Sequence, residues 1–450
     1  MRNLHKFKQN DKNVVLDINS GSVHVVDELI WDMIDLYVEK ALEEIYEILS
    51  SKYDTDLIKE GYEEVKELEE NGILFTEDSY IKDIKFNEEK IVKALCLHIA
   101  HDCNLKCEYC FASQGDFDGD KSFMSLEVGK KALDYLVNNS GNRRNLEVDF
   151  FGGEPLMNFD VVKELVHYGR TLEEEYNKNF RFTITTNGLL LDEDKMNFIN
   201  EHMSNVVLSL DGRKDVNDNM RKTINGEGSF DIIVPKFLEM VKLRGDKDYY
   251  VRGTFTSKNL DFSKDIKELY NIGFKSVSVE PVVTEPTQEY AILEEHIGDI
   301  LKEYDKLSKD YINIKRKDEE FNFFHFTIDL NQGPCAIKRV SGCGAGVEYL
   351  AVTPEGDLYP CHQFVGDEHF KLGTLDTGIQ NNKLVDEFNK ANVYNKDECN
   401  DCWARFYCSG GCHANAYNFN NDIMKPFKIG CEMEKKRIES SISILANLND

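Results

Sequence analysis

Cys103-Asn104-Leu105-Lys106-Cys107-Glu108-Tyr109-Cys110 places three thiols within a single short loop. The spacing is C-x3-C-x2-C, and it directly follows the apolar run Ala94 to Ala100, which reads as a buried strand. Zinc sites more often pair two C-x2-C units to reach four ligands. Three thiolates suit a [4Fe–4S] cube that keeps one iron without a protein ligand, open to the nitrogen and oxygen atoms of a small molecule. Lys106 and Glu108 are then exposed residues between ligands. Of the twelve cysteines, eleven fall into two groups with short spacings. The odd one, Cys96, is expected to be a buried strand residue. The opening MRNLHKFKQNDKN has no apolar signal segment. No apolar run reaches the roughly 18 residues of a spanning helix. The expected location is therefore the cytoplasm, where disulfides are disfavoured and metal or cluster ligation explains clustered thiols better.

Outward from this loop the texture is strand–helix alternation. Candidate strands are 94–100, 146–152, 180–187, 205–212, 249–256 and 276–282, with amphipathic helical stretches between them. Six βα repeats predict an α/β fold with a parallel sheet and right-handed crossovers, a partial (β/α)6 TIM barrel over residues 91–315. An open doubly wound sheet is the alternative. In such barrels the chemistry sits at the C-terminal ends of the strands, where the cysteine loop lies. Residues 1–90 read as short strands, then apolar residues at helical spacing over 27–49, then a helix ending on Asn71-Gly72. Three strands and about three helices in under 90 residues predict a small winged-helix-like domain. Residues 316–450 are expected to be a bridging region and a Cys-rich domain organised around metal more than around an apolar core.

The formal net charge is −28, and residues 1–90 alone carry 11 basic and 23 acidic side chains. Nucleic-acid and anionic-membrane binders are usually basic, so neither partner is expected. The winged-helix-like start is accordingly not read as a DNA-binding device.

CNLKCEYC resembles the CxxxCxxC signature of radical S-adenosylmethionine (SAM) enzymes, including the aromatic Tyr109 before the last cysteine. Its neighbours strengthen the match. Gly152, Gly153, Glu154 and Pro155 follow the second strand and match the family's GGEP motif, which meets the SAM amino group. Glycines allow close backbone approach, and a carboxylate accepts from an ammonium. TTNG after the third strand and SLDG after the fourth are similar to the family's polar strand ends around the ribose and carboxylate of SAM. This singles out Thr186, Asn187, Ser209 and Asp211, with Arg221 as a partner for the carboxylate and Tyr109 near the adenine. Val279-Glu280-Pro281, after the sixth strand, is expected to close that pocket. The resemblance makes Cys103, Cys107 and Cys110 the catalytic cluster's ligands.

A second signature lies near the C-terminus. Cys343-x12-Gly356-x4-Cys361 precedes Cys399-x2-Cys402-x5-Cys408-x3-Cys412 and then Cys431. This resembles the SPASM extension of radical SAM peptide maturases, which carries two auxiliary [4Fe–4S] clusters, three clusters in all. The resemblance implies that Cys399, Cys402, Cys408 and Cys431 hold the outer one, and Cys343, Cys361 and Cys412 the inner one. Cys335 is either the fourth ligand of the inner cluster or an unligated cysteine beside an iron left open to a substrate thiolate. The open site is favoured because it gives the cluster a role in sulfur chemistry.

In that superfamily the reduced first cluster cleaves SAM to methionine and a 5′-deoxyadenosyl radical, which takes a hydrogen atom from substrate carbon. The order of a small N-terminal unit, a radical SAM barrel and a SPASM domain resembles maturases of ribosomally made peptides. Residues 1–90 then resemble the leader-peptide recognition element, which captures the leader as an added strand. Candidate contacts are Leu29, Ile30, Trp31 and the strand 22–26, with core packing the simpler reading for Trp31. The partners implied are a precursor peptide and an electron donor. Within the group the chain most resembles thioether-forming enzymes of sactipeptide or ranthipeptide type, acting on six-cysteines-in-forty-five-residues peptides. The alternatives are an anaerobic sulfatase-type formylglycine maturase, a carbon–carbon crosslinking maturase, an iron–sulfur electron-transfer protein and a peptide-binding adaptor. Sulfatase maturases commonly carry an aspartate where this chain has His362, and they usually lack the N-terminal unit.

Overall fold

The computed structural model describes residues 3–78, 91–328 and 340–449. At its start, Asn10 and Asp11 both adopt positive φ (51° and 61°), which matches the twist of a tight hairpin. They fold β1 (Leu4–Gln9) back on β2 (Lys12–Asp17), and β3 (Val23–Val26) completes an antiparallel sheet in the order β1-β2-β3. The helical stretch at 27–49 is two helices, Glu28–Tyr37 and Leu42–Leu49. The first is capped by Asp27 accepting from the Ile30 amide at 2.8 Å. A third helix, Thr55–Glu70, follows. Their apolar faces close on Val15 in a small core that includes Met33, Ile45 and Ile58. Leu29 and Ile30 are buried in that core, which removes them as peptide contacts. Trp31 lies half-buried beneath the Lys6 and Lys8 ammoniums, 4.3 and 4.8 Å from its ring.

The next segment holds β4 (Ala94–Ala100), β5 (Leu105–Cys107), β6 (Asn145–Gly152), β7 (Asn179–Thr186), β8 (Asn205–Ser209), β9 (Arg221–Thr223), β10 (Tyr249–Phe255) and β11 (Ser276–Pro281). Six of these coincide with the expected strands to within a few residues. They lie in the sheet in sequential order, β4-β6-β7-β8-β10-β11, all parallel. A doubly wound sheet needs a reversal of strand order, and these six strands show none. The short β5 and β9 leave it to form a hairpin-like pair of their own.

Two additions were not expected. β12 (Asn322–Phe323) extends the sheet beyond β11, and β13 (Tyr349–Val352) pairs parallel to β4 at the other edge, Tyr349 against Ala94 and Val352 against Leu97. Three short antiparallel strands then follow β13: β14 (Asp357–Tyr359), β15 (Gly373–Thr374) and β16 (Gly378–Ile379). The Cys-rich region is thus continuous with the main sheet. Phe150, Phe180, Phe182, Phe237 and Phe255, all fully buried, fill the main core between sheet and helices.

The described N-terminal residues, 3–78, pack against the Cys-rich region. Phe7, Val14 and Leu16 of the small sheet pack on Ala404, Ile438 and Ile442 of the Cys-rich region. Ile18 packs with Val393, Phe406 and Cys399. The His5 ring stacks on Trp403 at 3.6 Å, and Gln9 donates to Asp305 (2.9 Å) and Ser440 (3.0 Å). The expected boundary at residue 90 lies outside the described residues. Among the described residues no helix is long and apolar enough to cross a membrane.

Candidate active site

The cysteine loop leaves β4 and is pinned from three sides. β5 pairs antiparallel with β9, which sets Cys107 opposite Arg221. The Asn187 side chain, just beyond β7, donates to Asn104 at 2.7 Å and to the Cys103 sulfur at 3.6 Å. The Leu105 amide points at the same sulfur at 3.4 Å. N–H groups aimed at a ligand sulfur stabilise its thiolate and tune the cluster it holds. Burial otherwise pushes the Cys103 thiol up to about 12 and the Cys107 thiol up to about 11.

The two glycines after β6 let its end press against the chain entering this loop. Gly153 N donates to Ala100 O at 2.7 Å and Glu154 N to Asp102 O at 2.9 Å. A Cβ on Gly152, whose φ is +118°, would lie 2.3 Å from Ala100 O, and one on Gly153 would lie 2.2 Å from Asp102 O. No side chain fits at either position.

Pro155 then opens a short turn that aims the Glu154 carboxylate inward, fully buried. Its oxygens accept from Leu156 N (3.0 Å), Thr186 Oγ1 (2.8 Å) and Asn187 N (2.8 Å). Burial nevertheless raises Glu154 to about 7, because three neutral donors only partly replace water.

On the next strand ends, Tyr109 donates to both oxygens of Asp211 at 2.8 and 2.7 Å, and Arg221 donates to the Tyr109 oxygen at 3.0 Å. Asp211 also accepts from Thr254 N at 3.0 Å, and burial raises it to about 6. Ser209 closes β8 directly opposite Arg252 of β10. The SAM-type candidates therefore converge on one end of the sheet. Glu280 does not join them. Its carboxylate faces Arg437 at 3.3 Å and His325 at 3.4 Å, so it ties β11 to the C-terminal helix Lys428–Leu448. Asn104 is a site residue that the sequence reading passed over, since attention went to the cysteines on either side.

The polar atoms fit the implied cofactor. Arg221 is buried, and its Nε has no partner among the described residues, as suits a group awaiting a carboxylate. Glu154 offers a buried carboxyl to an ammonium.

The sulfur sets fit clusters as well. Cys399, Cys402, Cys408 and Cys431 all line one cavity of about 370 Å³. Cys361 is pushed up to about 12 by burial, with Cys412 and Cys343 adding to the rise, so these three thiols are neighbours. The eleven described cysteines form no disulfide. Among the described residues no three ligating side chains are gathered as around a single metal ion. Cys335 lies outside the described residues.

His362, next to Cys361, is half-buried beside Phe111 and Phe151, with Tyr349 Oη 3.3 Å from its Nδ1. Burial, aided by the Arg252 charge, lowers it to about 4 and keeps the ring neutral.

Comparison with known proteins agrees with this construction. Residues 97–251 match the radical SAM superfamily model, and residues 343–403 match the SPASM iron–sulfur cluster-binding domain. An uncharacterized protein of Methanocaldococcus jannaschii is 30% identical over 281 residues, 61% of this chain and 86% of that protein. The cysteine-type anaerobic sulfatase-maturating enzyme of Clostridium novyi is 26% identical over 379 residues, 79% of this chain and 96% of that enzyme. The crystal structure of Streptococcus suis SuiB bound to precursor peptide SuiA is 16% identical with a TM-score of 0.53, covering 95% of this chain and 98% of that one. With the cysteine loop, the GGEP turn and the second set of thiols all in place, the chain belongs to the radical SAM superfamily, in the group that carries a SPASM domain.

Proposed function

We propose that this enzyme is a radical SAM peptide maturase that removes two electrons from a cysteine-containing peptide. The observation that carries the reading is the open outer edge of β3, on a sheet packed against the wall of the outer cysteine cavity. Val25 on that strand is 50% exposed. An extended leader adding to this edge would find its backbone partners waiting and would be tethered to the catalytic body. The whole-length likeness to SuiB, solved with a precursor peptide, supports the same reading.

Bound together, SAM and the first cluster supply hydrogen-atom abstraction. This chain's residues bind and orient. Cys103, Cys107 and Cys110 hold the first cluster. Glu154 receives the SAM ammonium and Arg221 its carboxylate. Asp211 fixes the Tyr109 ring at the pocket. The two C-terminal thiol sets hold auxiliary clusters, giving three clusters in all, and the neutral His362 stands beside Cys361 of the inner set.

Two products fit a two-electron oxidation. The likeness to the Clostridium novyi enzyme over 96% of its length favours oxidation of a cysteine to formylglycine. The N-terminal unit, and the neutral imidazole where sulfatase maturases commonly carry an aspartate, favour a thioether between a cysteine sulfur and a carbon of the same peptide. A simple electron carrier would have no use for the GGEP turn or the orphaned Arg221 nitrogen.

The test is anaerobic incubation of reconstituted protein, reductant and SAM with a cysteine-rich precursor peptide. The peptide is then reduced and alkylated. Loss of two hydrogens that survives reduction, with one cysteine no longer alkylated, establishes the thioether. An aldehyde that reacts with a hydrazide establishes formylglycine. An unchanged peptide with every cysteine alkylated contradicts both.

A further inference from the structure

Lys396 has no exposed surface. Its ammonium donates to the carbonyl of Gly410 at 2.8 Å, and Gly410 lies between Cys408 and Cys412 in the chain. The carbonyl of Lys396 accepts from Cys399 N at 2.9 Å, which fixes the lysine backbone beside that cysteine as well. Burial disfavours the charge of the ammonium, and Cys399, Cys408, Cys412 and Cys431 lie near enough for their thiolates to favour it.

These four cysteines belong to different sets. Cys399, Cys408 and Cys431 line the outer cavity, as does Gly410 itself. Cys412 groups with Cys343 and Cys361. Lys396 therefore stands at the partition between the two sets.

A lysine sealed from water with one carbonyl partner is costly to bury unless an anion answers its charge. With neutral thiols the ammonium has no ion-pair partner among the described residues, only the Gly410 carbonyl. With thiolate-ligated clusters on both sides it gains two. We propose that Lys396 is the shared counter-charge of the two auxiliary clusters, a positioning residue that holds the reduction potential of both above the values they would have without it. The sign follows from charge. Reduction makes a cluster more negative, and a fixed neighbouring cation stabilises the reduced form, so it raises the potential. Both clusters then accept electrons more readily. The inference rests on the reading that both cysteine sets carry clusters.

The test compares wild type, Lys396→Gln and Lys396→Arg, each reconstituted anaerobically. Iron is counted first, then each cluster is titrated with EPR detection. Gln can still donate to Gly410 O but carries no charge, and Arg keeps the charge. The expected result is that K396Q lowers the midpoint potentials of both auxiliary clusters while K396R stays close to wild type. K396Q failing to load clusters that K396R loads in full would also support the counter-charge. Unchanged potentials in K396Q, a shift confined to one cluster, or loss of clusters in both variants would overturn it, the last by assigning Lys396 to filling space. A wild-type protein without auxiliary-cluster iron would instead fail the cluster reading itself, and the iron count separates the two failures.

Discussion

The SAM-type strand ends and the C-terminal cysteine region are both loops that present ligands, yet they are held in opposite ways. At the strand ends the carboxylates and the loop are fixed by other groups, and only the Arg221 Nε is left without a partner among the described residues: Glu154 is held by Thr186 and the Leu156 and Asn187 amides, Asp211 by Tyr109 and Thr254, the cysteine loop by Asn187 and β9. Beneath them lies the large phenylalanine-rich core. In the cysteine region the helices Asp397–Asn400 and Arg405–Cys408 are one turn each, and their apolar contacts come partly from the N-terminal sheet. One site is organised by the sheet before any cofactor arrives. The other borrows part of its apolar packing from a neighbouring unit.

That contrast can be broken most sharply at Cys107. Cys107→Ala should abolish 5′-deoxyadenosine formation while the auxiliary clusters keep their EPR signals. Turnover by this variant would show that the loop does not hold the catalytic cluster. Removing residues 1–78 should cost the outer cluster its iron, because Ile18 leaves the flank of Cys399 and Phe7, Val14 and Leu16 leave Ala404 and Ile442. SAM cleavage should persist, and full retention of iron would mean that the cysteine region needs no such wall.

Gly153→Ala should weaken SAM binding at least tenfold, since its Cβ would collide with Asp102 O and part the GGEP turn from the cysteine loop. Calorimetry on cluster-loaded protein would read this, and unchanged affinity would show that the two segments separate freely.

Glu154 makes SAM binding proton-linked. Burial raises its carboxyl to about 7, so below that pH the folded site is protonated and must release a proton to meet an ammonium. Affinity should fall by up to about tenfold per unit as pH drops below about 7, and Glu154→Gln should remove that dependence while weakening binding by ~2 kcal/mol. The same shift has a stability sign. Between the ordinary carboxylate range and about 7 the folded state holds a proton that the unfolded chain has lost, so ionising Glu154 as pH rises through about 7 destabilises the SAM-free protein.

The smallest effect belongs to His5→Ala. It loses the stack on Trp403 and the 2.9 Å contact with Glu439, together ~1 kcal/mol, readable as a slightly lower Tm for the cluster-loaded protein.

The division between legible and illegible follows the same contrast. β4 is a continuous apolar run and falls where 94–100 puts it, while β6 and β7 show the apolar–polar alternation of a strand. The motif residues could be read because they sit at strand ends in sequence register. β5 and β9 are three residues each, too short for any period to show. The parallel pairing of β13 with β4 joins residues some 250 positions apart, and nothing local in Tyr349–Val352 announces it. Glu280 looked like a pocket residue because Val279-Glu280-Pro281 follows a strand, but its partner Arg437 lies on the last helix. The pattern of strands and helices in residues 1–90 reads as a unit, but it does not show which of its residues face the Cys-rich region. Their tertiary contacts run through scattered residues, Phe7, Ile18 and His5, that look like ordinary strand positions. Lys396 could not be found from its type, since lysine is usually a surface residue. Only its burial between two cysteine sets marks it.

The most direct measurement is isotopic. A cysteine-rich precursor peptide deuterated at its non-exchangeable carbon positions is incubated anaerobically with reconstituted protein, reductant and SAM, and the released 5′-deoxyadenosine is examined by mass spectrometry. The account predicts deuterium in the 5′-deoxyadenosine together with a peptide oxidised by two electrons. Unlabelled 5′-deoxyadenosine alongside a modified peptide would contradict it, because the hydrogen atom would then have come from somewhere other than the substrate.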